Sequence, residues 1–174
     1  AGVFRQPEHW YPERLWWDEE DDRARTPEPA PPWRTVRAGT ATAPIVAGNV
    51  NTLLLLHGTP WWPSLEGALL LLEDDDEYGK PWIVERQRFQ LRQLGAFHEA
   101  AGLAYGRIDP ASGFENEGWI DDILLRATEG ADLPVATGLD FSHTSPLLTL
   151  PWGVRARLAA GDDVTLELLD AGVI

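Results

Sequence analysis

Five consecutive apolar residues, Ala68 to Leu72, run straight into Glu73 and four more acids, Asp74-Asp75-Asp76-Glu77. Five is long enough for a buried strand and too short for a helix. Further segments alternate around it. Thr35–Ala38 reads as a short strand. Asn49 reads as a helix cap before Val50, Leu53, Leu54 and Leu56, with Gly58 as a stop. Pro81 suits the first turn of a helix that Gly95 ends, with Val84, Leu91 and Leu94 on one stripe. Leu103–Arg107 and Leu133–Thr137 read as strands, and Trp119–Ala127 as a helix. Val154–Leu158 and Val164–Leu169 flank Gly161-Asp162-Asp163 as a hairpin. The expected fold is α/β: a mixed sheet with helices on one side and a second β layer, a three-layer β/β/α arrangement of the swivelling type.

Residues 1–35 differ from the rest. They hold four of the nine tryptophans (Trp10, Trp16, Trp17, Trp33), the acidic run Asp18 to Asp22, and Pro27-Glu28-Pro29-Ala30-Pro31-Pro32. Proline at that density blocks helix and central strand alike. The expectation is an irregular arm over 1–35 and a domain over 36–174. Cysteine is absent, which excludes disulfides and thiolate metal sites. Methionine is absent even at position 1, so the chain is expected to be cut from a longer protein. The formal charge of −14 disfavours long nucleic acid and anionic membrane surfaces as partners. No apolar run reaches membrane-spanning length and no signal-peptide pattern opens the chain, so a cytoplasmic protein is expected.

Chemistry concentrates at two places. Glu73 closes a buried strand, where α/β proteins place reactive groups. A solvated acidic loop is the alternative for the acids that follow. A calcium loop is disfavoured, because the alternate-residue acids and turn glycine are missing. His143 lies in Phe141-Ser142-His143-Thr144-Ser145-Pro146, a base 70 residues after Glu73. His9, His57 and His98 have no metal-ligand spacing with one another. Ser142 and Ser145 make poor nucleophiles: neither sits in a Gly-x-Ser-x-Gly elbow, and Ser142 adjoins the base. No Gly-rich phosphate loop occurs.

Several motifs then line up in order. They are Gly48-Asn49-Val50-Asn51-Thr52-Leu53, Gly58-Thr59-Pro60, Gly67 to Leu72-Glu73-Asp74, Val84-Glu85-Arg86, Gln90-Leu91, Gly95, Tyr105-Gly106, Leu133-Pro134-Val135, Ser142-His143-Thr144-Ser145-Pro146 and Leu150-Pro151-Trp152-Gly153-Val154. Over about residues 45–174 the chain resembles the LD-carboxypeptidase family of serine peptidases, which includes murein tetrapeptide carboxypeptidases and microcin C immunity peptidases. The resemblance implies a Ser-Glu-His triad, with Glu73 as carboxylate, His143 as base, and the serine on an N-terminal nucleophile domain outside this chain. It implies no metal or organic cofactor, a small peptide or peptidyl-nucleotide as substrate, and dimers among related enzymes. The isolated chain is expected to be inactive.

Trp16-Trp17-Asp18-Glu19 and Pro32-Trp33 look like the tryptophan-bearing loop of the immunity branch. On that reading Trp17 and Trp33 bind substrate by stacking on the nucleotide. The alternative is that they pack the arm onto the domain. A rival from another class is a non-catalytic ligand- or protein-binding module that keeps the hydrolase scaffold.

Overall fold

The computed structural model describes residues 2–13, 15–16, 18–20, 22–116 and 118–172. In the arm, β1 (Gly2–Phe4) comes first, then β2 (His9–Trp10) and β3 (Glu28–Pro29), which pair with each other. The domain then runs β4 (Arg34–Arg37), β5 (Gly39–Asn49), α1 (Val50–Leu55), β6 (Leu69–Glu73), α2 (Pro81–Gln93), α3 (Ala96–Glu99), β7 (Gly102–Gly106), α4 (Gly118–Ala127), β8 (Val135–Leu139), β9 (Arg155–Ala160) and β10 (Val164–Leu168). Eight strands form one sheet in the order β1-β10-β9-β5-β6-β7-β8-β4. The links β5-β6-β7-β8 are parallel and the other four are antiparallel.

The sheet folds over on itself, and β5 is the shared edge of the fold. Its first half, Gly39 to Pro44, pairs with β9; its second half, Ile45 to Asn49, pairs with β6. Past Pro44, Ile45 N–H donates to Val154 O at 2.9 Å. Thr35 Oγ1 in β4 donates to Gly161 O, in the β9–β10 turn, at 2.8 Å. The two β layers are thus two arms of one sheet.

Alternate side chains fill two cores. Leu70, Leu72, Leu103, Tyr105 and Val135 face Val50, Leu53, Val84, Leu91, Ile120 and Leu124 of the helices. Ile45, Leu69, Leu71, Ala104 and Ala136 face Ala156, Leu158 and Leu166 across the fold of the sheet. The expected mixed sheet, one-sided helices and second β layer are all present.

Locally the caps behave as anticipated. Asn49 Oδ1 accepts from Thr52 N at 3.0 Å and starts α1. Pro81 opens α2 without costing a hydrogen bond, since the first N–H groups of a helix have no partner. Gly95, at φ +81°, ends that helix and leads directly into α3. Two features depart from the expectation. The 11-residue β5 was not anticipated; its Thr-Ala-Thr-Ala-Pro start offers little apolar mass. The arm is not wholly irregular, because β1 adds an edge strand beside β10.

Candidate active site

Glu73 is the last residue of β6, reached by five buried positions in a row. It lies in register with Asn49 at the end of β5. Pleating sends Leu71 and Glu73 to the inner side and Leu72 and Asp74 to the helix side. His143 comes from the loop after β8. Its Nδ1 lies 2.7 Å from Glu73 Oε2. The carboxylate side chain is 9% exposed and the imidazole 55% exposed. Burial pushes the Glu73 carboxyl above its ordinary value, while the bonds from His143 and Asn49 pull the other way.

Three braces hold the histidine loop. Ser142 Oγ donates to Arg107 O. Leu148 N–H donates to Asp140 O at 2.7 Å, closing the loop at its base. From the arm, Tyr11 N–H donates to Ser145 O at 2.7 Å. Gly106, at the end of β7, makes room for the pair. A Cβ there would lie 2.7 Å from Ser142 Cβ and 2.9 Å from Glu73 Cβ, closer than real contacts allow.

Two buried ion pairs flank the site, and sequence reading missed both. On the helix side, Asp74 accepts from Arg88 and from the Tyr105 hydroxyl. Arg88 is fully buried. Burial raises the Asp74 carboxyl against the pull of Arg88, and it raises the Tyr105 hydroxyl well above its usual range. The signal was present: Arg88 falls on the stripe of Val84 and Leu91, where a charged residue needs a buried partner. On the arm side, Asp140 accepts from Arg107 Nε at 2.8 Å and from Trp33 Nε1 at 2.7 Å. Arg107 also donates to Pro31 O at 3.0 Å and lies over the Trp10 ring.

Glu73 and His143, 70 residues apart in the chain, are therefore brought together. Ser142 is buried with its hydroxyl committed to a carbonyl, so it is not placed to attack a substrate. Trp33 is 8% exposed, in the inner core, and its indole N–H is used by Asp140. This contact packs the arm against the domain. Trp17 lies outside the described residues, and its neighbour Trp16 is 63% exposed. Among the described residues no group of three or more His, Cys, Asp or Glu is placed to hold a metal ion. None of their helices is long and apolar enough to cross a membrane.

In chemical terms, a carboxylate that accepts from Nδ1–H fixes the imidazole tautomer and leaves Nε2 as the ring's base. Clefts open on both sides. One of about 240 Å³ lies beside Glu73, between Asn49 and Trp152. The other, about 360 Å³, lies beside His143, between Tyr11 and Leu147.

Known proteins share this arrangement of chain. The microcin C7 self-immunity protein MccF of Escherichia coli is 28% identical over 163 residues, covering 90% of this chain and 45% of that protein. A Bacillus subtilis protein named for murein peptide carboxypeptidase activity is 28% identical over 137 residues, covering 78% of this chain and 42% of that one. The crystal structure of an MccF-like protein from Bacillus anthracis str. Ames matches with a TM-score of 0.86 at 25% identity, over 97% of this chain and 51% of that one. The chain thus spans about half the length of these relatives, or somewhat less. The sequence profile of the LD-carboxypeptidase C-terminal domain matches residues 42–158, more than half of the chain, and the chain belongs to that family.

Proposed function

We propose that this chain supplies the acid–base half of a Ser-Glu-His amide hydrolase. The observation that carries the reading is the 2.7 Å bond between His143 Nδ1 and Glu73 Oε2, with the carboxylate buried and the ring half in solvent. His143 Nε2 takes the proton of a serine hydroxyl as the oxygen attacks the amide carbon, and later gives it to the leaving amine. Glu73 holds the tautomer and stabilises the imidazolium. The serine and the oxyanion-hole N–H groups belong to a nucleophile domain that precedes this one, as in the family resemblance. The substrate is an amide next to a free carboxylate in a murein L,D-peptide, or the amide of a microcin C-like peptidyl-nucleotide. The family's carboxypeptidase name and the MccF relative point to these two classes.

The decisive measurement uses the longer protein that carries this chain. His143→Ala is expected to lower kcat by about 10³-fold or more and to leave substrate binding largely intact. Turnover that survives the change removes His143 from the mechanism. Residues 1–174 alone are expected to hydrolyse neither substrate class, and amidase activity from them would overturn the division between two domains. A parent without a serine nucleophile would favour the binding-module reading.

A further inference from the structure

The cleft beside His143 is a joint product of domain and arm. One wall is the loop from Ser142 to Leu147, and the other is Tyr11 to Glu13 together with Arg25. The arm is fastened there. Besides the Tyr11–Ser145 bond, Glu13 Oε1 pairs with Arg23 at 2.6 Å and Glu13 Oε2 accepts from Thr26 N–H at 3.1 Å. These bonds close the segment that presents Arg25.

The charges in this cleft are unequally used. Glu13 is spent on Arg23 and Thr26, which holds its carboxyl below the usual range. Asp109 is buried, with Oδ1 accepting from Ala111 N–H at 2.7 Å. Arg23 takes a second acid, Glu20, at 3.7 Å. Arg25 makes no hydrogen bond or ion pair among the described residues. Arg25 is exposed and is the one cation other than the imidazole among the residues that line this cleft with His143, so its guanidinium is open to an anion there.

We propose that Arg25 receives the free carboxylate of the residue that leaves when the amide is cut. The inference rests on the reading of His143 as the group that protonates the leaving amine. In an amino acid the amine and the carboxylate share one carbon. A cation that holds the carboxylate must therefore share a cleft with the proton donor, and Arg25 lines the cleft that His143 lines. A guanidinium fork meets a carboxylate with two parallel hydrogen bonds, which fixes the direction in which the substrate enters. Arg25 is then a specificity-determining group that selects chain ends over internal amides. A phosphate fits the same fork, so the experiment must separate the two.

The test needs no turnover. The ¹⁵N-labelled chain is titrated with an alanine L,D-dipeptide bearing a free carboxylate, with its C-terminally amidated twin, and with inorganic phosphate. The free acid is expected to shift the Arg25 Nε–H and His143 ring signals. Amidation or Arg25→Gln is expected to weaken binding by about tenfold or more, with Arg25→Lys intermediate. The spectrum of Arg25→Gln outside the cleft reports that the fold is kept. Equal binding of the twin, no change in Arg25→Gln, tighter binding of phosphate, or no shift up to about 20 mM peptide would each overturn the assignment. This binding is read without turnover, whereas the role of His143 is read from kcat in the longer protein. The carboxylate site thus stands or falls separately from the catalytic role of the histidine.

Discussion

Glu73 and Asp74 are neighbours in the chain, yet the pleat of β6 sends them to opposite faces of the sheet. Asp74 goes to the helix layer. There Arg88, itself fully buried, and the Tyr105 hydroxyl close around it. Glu73 goes to the inner side and meets a histidine whose ring is 55% exposed. Burial disfavours charge on both carboxyls. On the helix side a permanent cation answers that cost; on the inner side the partner is a base that can gain or lose a proton. A buried acid beside a fixed cation is a structural tie, whereas the same acid beside an imidazole is the pairing on which the proposed proton transfer rests.

Substitutions can break this contrast at either end. The largest effect is expected from Arg88→Met, which leaves Asp74 buried without its cation. A loss of about 3–5 kcal/mol is expected near pH 7, read by urea unfolding. If stability holds, the helix-side pair is not the tie described. Gly106→Ala should come next. Its new Cβ would press on both Ser142 and Glu73, costing about 1–3 kcal/mol, with the His143 Nδ1–H signal lost from the proton spectrum. A variant that keeps this signal would show that the close approach is not needed.

The smallest effect is expected from Glu73→Gln, and its sign depends on pH. Burial raises the Glu73 pKa above 4.5, so the folded chain holds this proton more tightly than the unfolded chain. The stability contribution is therefore full below about pH 4.5 and is lost as pH climbs through the raised value. Glutamine does not titrate. The variant should gain on the wild type as pH rises from about 4 to 7, and thermal melts across that range would show it. A gap that moves the other way would mean that the bond to His143 outweighs burial.

Much of this was legible before any coordinates. The apolar run into Glu73, the cap at Asn49, the proline at the start of α2 and the hairpin at the end each carry a local physical signal. The pairing of Glu73 with His143 was legible too, through the motifs around them. What was hidden depends on long-range pairing. The start of β5 is built from small residues, and β9 alone explains why it is a strand. Arg107 and Asp140 are 33 positions apart, and nothing near either one announces the other. Arg88 was the exception: its place on an apolar stripe called for a buried acid, and the acidic run after β6 offered candidates. Trp33 could stack or pack by composition alone. In the fold its ring is buried and its indole N–H is used by Asp140, a long-range contact that composition does not announce.

Both outer margins of the eight-stranded sheet, β1 and β4, come from the first 37 residues. They are three and four residues long, so each offers few free backbone groups to a passing strand. The residues that wall the histidine cleft, Tyr11 to Glu13 and Arg25, lie in the chain between these two margin strands. A change in the arm that detaches β1 would bare β10 to strand addition by a second molecule, which links the integrity of the arm to the risk of self-association.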